Sequence, residues 1–300
     1  MPLLPEAVEI VEVGPRDGLQ SLPFVVPTSE KIALIRGLLQ AGLRRIEATS
    51  FVHPKVIPQL KDAEELLSGL DVPEGVRLIA LVPNERGYER ARRCRPVLTD
   101  ITLVVAATET LNQKNVRMSI SESLRQFERI VAMAKADGFW VRAIIGASFG
   151  CPYEGRVPIE QVMTLAKIFF HMGSDEVTFA DTIGCANPAQ THYFFAQARQ
   201  RWPDRVLSAH FHDTRHMALA NIYAALQVGI TIFDAAIGGL GGCPFSPGAA
   251  GNVATEKVVL MLHEMGIRTG VDLTQLRACA QMATAISARG SDLHEQQLGL

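Results

Sequence analysis

Two histidines, His210 and His212, stand two apart at the end of the apolar run V-L-S-A-H-F-H. Side chains on a β-strand alternate faces, so both imidazoles would point the same way and could close on a single metal ion. Asp17, in G-P-R-D-G, offers a carboxylate, and Asn252, in G-A-A-G-N-V, offers an amide oxygen where a helix would begin. Two imidazoles, a carboxylate, an amide oxygen and water form a mostly hard-oxygen set. It suits Mg²⁺ or Mn²⁺ better than Zn²⁺, since no thiolate is needed. The plainer alternative is a structural histidine at a strand end and a turn-capping aspartate.

Further groups have types that fit a site of this kind. Arg16, beside Asp17, carries five fixed donors that could stabilise an oxyanion, and Glu47 is a carboxylate that could brace it. Asp181, in F-A-D-T-I-G, either orders neighbouring groups or holds Arg16; the residues alone leave both roles open. Cys243 follows four glycines in G-G-L-G-G-C-P, where no regular core is expected, and reads as a functional thiol on a mobile loop. The spacing of that glycine run is not a dinucleotide fingerprint. Lys114, Asn115 and Arg142 could meet a phosphate-bearing substrate, with surface solvation as the alternative.

These residues need a scaffold that gathers them. Val- and Ile-rich runs recur near 8–13, 44–50, 76–82, 101–106, 141–146, 175–180, 206–211 and 231–236. Helix-periodic segments follow them, near 28–41, 58–69, 84–94, 119–137, 158–172, 187–201, 215–228 and 252–265, and a last helix near 272–288 has no strand after it. Eight such units imply a closed α/β architecture, a (β/α)₈ TIM barrel with an extra C-terminal helix, and residues 1–300 are expected to form one domain. Arg16, Asp17, Glu47, Asp181, His210, His212, Cys243 and Asn252 all fall at or after strand C-termini, the face on which barrel active sites are built.

Composition narrows the function class. Apolar residues make up 48% of the 300 and charged residues 20%, which fits a large core. A net charge of -2 argues against nucleic-acid binding. The five cysteines include no C-x-x-C pair, which argues against a disulfide framework and for a reducing compartment. No basic, apolar leader or 18-residue apolar span is present, so no membrane association and a cytoplasmic location are expected. The last helix offers a surface for a second copy, which raises a homo-oligomer as an expectation.

Several motifs occur in one order: V-E-V-G-P-R-D-G-L-Q, I-E-A-T-S-F-V, Q-K-N, G-C-P-Y-E-G, D-T-I-G, H-F-H-D-T and G-L-G-G-C-P-F-S-P-G-A-A-G-N-V-A-T-E. Together they resemble the 3-hydroxy-3-methylglutaryl-CoA lyase family of metal-dependent lyase and Claisen-condensing barrels. The resemblance implies cleavage of that thioester to acetyl-CoA and acetoacetate, with an acyl-CoA as the small-molecule partner. It implies Asp17, His210, His212 and Asn252 on the cation, Arg16 at the enolate oxygen, Glu47 and Asp181 as supporting carboxylates, and Cys243 on a closing loop. Asp17 or His210 would take the hydroxyl proton, and Cys243 or His210 would return one. The chain departs from the family after the metal histidines, where Arg215, His216 and Met217 replace Tyr-Gly-Gln, and after G-L-Q, where Ser21-Leu22-Pro23-Phe24 replace Asn-Glu-Lys. A related 3-hydroxy-3-carboxymethyl thioester is therefore an alternative substrate, and a Claisen-condensing synthase a more distant alternative activity.

Overall fold

In a computed structural model, the backbone is described for residues 4–243 and 246–298 and the side chains for 4–241 and 251–289. Eight parallel strands close into a barrel in chain order. They are β1 (Glu9–Glu12), β2 (Arg45–Ser50), β3 (Arg77–Leu81), β4 (Asp100–Ala106), β5 (Trp140–Gly146), β6 (Glu176–Asp181), β7 (Val206–Phe211) and β8 (Ile232–Ala235). The helices around them are α1 (Thr28–Gln40), α2 (Ala63–Ser68), α3 (Glu85–Arg92), α4 (Glu109–Val116), α5 (Ile120–Ala136), α6 (Ile159–Met172), α7 (Pro188–Arg201), α8 (Ala218–Leu226), α9 (Thr255–Glu264) and α10 (Leu273–Leu298). This is the expected (β/α)₈ TIM barrel. Strands such as β2 and β6 are buried along their whole length, on both faces of the sheet.

Local signals set several helix starts. Ser119 and Glu122 form a reciprocal capping box on α5, and the Asn187 side chain accepts from the Gln190 N–H ahead of Pro188 on α7. The helix expected over 58–69 is split into a 3₁₀ turn, Pro58–Leu60, and α2. The helix expected from 215 starts only at Ala218, because His216 holds a left-handed φ of 55° and the Asp213 carboxylate accepts from the Ala218 N–H. α9 begins at Thr255 and not at Asn252, which is bridged to His212. The short helix α4 was not expected, nor was the antiparallel hairpin of β9 (Gly242–Cys243) with β10 (Ser246–Ala250), in place of an irregular loop. α10 packs on α1 and α9 of its own chain, burying Leu276, Cys279, Ala283 and Ile286.

The barrel lumen is polar. Arg45 on β2 reaches Glu176 on β6 at 2.6 Å, and Arg142 on β5 pairs with Glu176 at 2.9 Å and with Asp234 on β8. β2 and β6 lie on opposite sides of the barrel, so these bonds cross its interior. Ser208 donates to Glu176 at 2.6 Å and meets Thr178 at 2.7 Å. The apolar core lies outside this column, between strands and helices, where Phe149, Phe179, Phe194, Phe195 and Phe211 stack on one another.

Candidate metal and catalytic site

The site starts with a five-residue π-turn, Gly14–Gly18, directly after β1. The Val13 carbonyl accepts from the Asp17 N–H at 2.7 Å and the Gly18 N–H at 3.4 Å. Such widened turns recur at functional positions because the extra residue redirects side chains. Here it sends Arg16 and Asp17 to different partners. The Arg16 guanidinium donates through Nε at 2.7 Å and lies with a second nitrogen at 2.6 Å from one Glu47 oxygen, and its remaining nitrogen donates to Asp17 at 2.5 Å. The other Asp17 oxygen accepts from the Asn252 amide at 2.8 Å.

Asp17, His210 and His212 each offer a ligand atom, and these atoms lie within 4.8 Å of one another. His210 and His212 are in phase on β7 and just beyond it, their ring centroids 5.2 Å apart. His210 Nδ1 sits 3.0 Å from Asp234, its parallel neighbour on β8. That contact leaves the other ring nitrogen free to ligate, an orienting arrangement common for metal-binding histidines. Asn252 Oδ1 and His212 Nδ1 are buried without a hydrogen-bond partner. Buried acceptors are rarely left bare, so the orphaned amide oxygen beside a carboxylate and two imidazoles fits a divalent cation.

The electrostatics point the same way. Burial works to raise the Asp17 pKa, but the charges of Arg16, His210 and His212 outweigh it and hold the carboxyl well below the usual range. Burial, with His210 nearby, brings His212 down to about 4, so its ring is neutral and free to ligate at pH 7. His210 moves the other way. Burial opposes its protonation, yet the hydrogen bond and charge of Asp234 raise its pKa.

Other residues occupy places that the sequence did not settle or that differ from expectation. Asp181 accepts from the Cys185 and Ala186 N–H groups at 2.9 Å each, so it ties down the β6–α7 loop, and among the described residues it forms no ion pair with Arg16. Arg142 was expected at the surface or on a phosphate. It is instead fully buried in the lumen, because two carboxylates there need a cation. Lys114 lies 4.9 Å from the centre of the Tyr153 ring, and Asn115 beside it on α4 is exposed at the barrel mouth. The backbone of Cys243 lies in β9; its side chain is outside the described residues.

Sequence reasoning missed Asp234 and Glu12, both fully buried beside the site. A signal existed for the first. Asp234 interrupts the apolar run T-I-F-D-A-A at a position that pairs with His210 once the two strands are placed side by side.

Residues 7–283 match the family described as HMGL-like. The chain belongs to this family. As an HMGL-like barrel it is similar to the hydroxymethylglutaryl-CoA lyase of Bacillus subtilis, with 47% identity over 277 residues covering 92% of each sequence. The crystal structure of a Bacillus subtilis HMG-CoA lyase superposes with a TM-score of 0.92 at 46% identity, covering 97% of this chain and 96% of that one. An Acinetobacter baumannii HMG-CoA lyase in complex with coenzyme A and 3-methylmalate matches with a TM-score of 0.89 at 39% identity, covering 94% and 92%. No helix among the described residues is long and apolar enough to cross a membrane.

Proposed function

We propose that this HMGL-like chain is a divalent-metal-dependent carbon–carbon lyase that cleaves 3-hydroxy-3-methylglutaryl-CoA to acetyl-CoA and acetoacetate. The observation that carries this reading is the meeting of Asp17, His210 and His212 within 4.8 Å, next to the Arg16 guanidinium. Asp17, His210, His212 and Asn252 would hold Mg²⁺ or Mn²⁺. When bound, the cation supplies a Lewis acid that lowers the pKa of an adjacent hydroxyl.

The chain's own groups then divide the work. Asp17 or His210 takes the proton of the tertiary hydroxyl. The alkoxide electron pair becomes the ketone of acetoacetate as the carbon–carbon bond breaks, and the bonding pair moves onto the thioester as an enolate. Arg16, clamped by Glu47, would stabilise that oxyanion, and loss of one such donor costs roughly 3–4 kcal/mol of barrier. Cys243 or His210 returns a proton to the enolate carbon, which completes acetyl-CoA. Asp181 keeps the β6–α7 loop in place, and Asn115 would meet the coenzyme A portion. A cytoplasmic location and assembly into homo-oligomers belong to the same reading.

A related acyl group is the second reading. It rests on Arg215 and His216 in the loop directly after the metal histidines, with His216 in a left-handed conformation where the family resemblance places glycine. A panel of 3-hydroxy-3-carboxymethyl thioesters, assayed with Mn²⁺ for acetyl-CoA release, decides between them. Fastest release from the methylglutaryl compound supports the first reading. Faster release from a longer homologue supports the second, and no release from any member sinks both.

A further inference from the structure

Glu12, the last residue of β1, is a carboxylate with no solvent exposure and, among the described residues, no cationic partner. Its three hydrogen bonds go to three different segments. One oxygen accepts from the Gly14 N–H at 2.7 Å and from the Ile237 N–H at 2.8 Å, and the other accepts from the Thr255 hydroxyl at 2.6 Å. Gly14 opens the turn that carries Arg16 and Asp17. Ile237 opens the loop that leads into β9 and Cys243. Thr255 is the first residue of α9, three positions after Asn252.

The turn and the loop also touch directly, and glycines permit the approach. A Cβ on Gly14 would lie 2.6 Å from the Glu12 carboxylate and 3.0 Å from the Ile237 side chain. A Cβ on Gly18 would lie 2.5 Å from the Leu240 Cβ, and Gly241 backs onto Gly18. A buried carboxylate with no counter-charge is costly to keep, and a neutral residue would pack there without that cost.

We propose that Glu12 is a positioning residue for the reaction: it locks the Arg16–Asp17 turn, the root of the β9–β10 hairpin and the start of α9 into one body. It touches neither substrate nor cation. It acts by fixing the distance between the groups that start the reaction and the hairpin that carries Cys243. The kinetic arm of its test rests on the lyase reading, whereas a hydrogen-exchange arm does not.

The test compares Glu12→Ala with Glu12→Gln. The glutamine can keep all three bonds, its oxygen accepting from the two N–H groups and its amide donating to the Thr255 hydroxyl. The alanine strands two buried N–H groups. Glu12→Ala is expected to lower kcat by between about tenfold and a hundredfold, the loss typical of a small displacement of reacting groups, with KM little changed. Amide exchange should quicken over 13–18 and 237–241, and Glu12→Gln should restore both readouts to near wild type. Gly14→Ala attacks the same contact from the other side, and should reproduce the slower turnover and faster exchange if Glu12→Ala does not fold. Wild-type kcat and exchange in Glu12→Ala would overturn the proposal. So would a Glu12→Gln enzyme as slow as the alanine variant, since the charge and not the tie would then matter. A wild-type enzyme inactive on every thioester would strike the lyase reading alone, with the exchange arm still deciding the role of Glu12.

Discussion

The lumen of this barrel and the shell around it are built on opposite principles. The shell, between strands and helices, is held by apolar contact, with Phe149, Phe179, Phe194 and Phe195 among its stacked rings. The lumen is held by a column of charges, Arg45–Glu176–Arg142–Asp234, which ends on His210 of the candidate metal site. Burial of apolar area is non-directional and tolerates small shifts, whereas charged groups in a dry interior need partners at fixed distances. The shell therefore supplies stability, and the lumen supplies orientation to the site above it.

Breaking the column should have the largest effect. Arg142→Gln leaves Glu176 and Asp234 as buried charges short of a partner and is expected to cost about 3–5 kcal/mol in urea unfolding, together with weakened metal binding. Phe195→Ala in the shell should cost a similar ~3–5 kcal/mol through the cavity it leaves, yet leave Mn²⁺ affinity by calorimetry near wild type. Equal losses of metal affinity in the two variants would erase the distinction.

Glu12 gives a pH-dependent test at the border of the two regions. Burial lifts its pKa from 4.5 to about 7, against the hydrogen bonds that lower it. The other titratable groups facing it are Glu256 on α9 and Cys279 on α10. Below pH 4.5 the carboxyl is protonated in both the folded and unfolded states and has no linkage effect. Between 4.5 and about 7 the unfolded chain ionises first, so the folded state loses stability as pH rises, and above about 7 the loss is complete. Glu12→Gln should remove this dependence and stabilise the protein at pH 8 by about 3 kcal/mol, with little gain at pH 4.5. Chemical melts at the two pH values check it; an equal gain at both would contradict the buried-anion account.

A smaller effect is expected at the top of the column. Asp234→Asn keeps the shape but weakens the hold on His210, and Mn²⁺ affinity should fall by about 10–100-fold. The smallest effect is outside the barrel. Glu64→Gln removes the exposed pair with Arg90, set at 2.7 Å, and should change stability by at most about 1 kcal/mol.

Much of this was readable from the residues. Strands buried on both faces leave runs such as I-T-L-V-V-A, and all eight were placed within a residue or two of their observed ends. The in-phase histidines and the adjacent Arg16 and Asp17 were readable because their spacing is short and local. The charged lumen was not read, although its trace is present: Arg45, Glu47 and Thr49 alternate along β2, and Asp100 with Thr102, and Glu176 with Thr178, do so on β4 and β6. A barrel interior is expected to be filled by branched apolar side chains, and an arginine such as Arg142 is usually assigned to the surface. The β9–β10 hairpin was missed because glycine, serine and proline have low strand propensity. Helix α4 was missed because its eight residues are too few to show a clear period.

The π-turn at Gly14–Gly18 has an evolutionary corollary. A cation and an anion that are neighbours along the backbone bond each other and also reach separate addresses, Glu47 for one and Asn252 for the other. Guanidinium and carboxylate are thus tethered by a single peptide unit, and neither can drift without dragging its companion. Loss of one residue from that loop would swing both groups at once, so any descendant that re-tunes the chemistry must do so through the residues receiving them and leave the turn itself untouched.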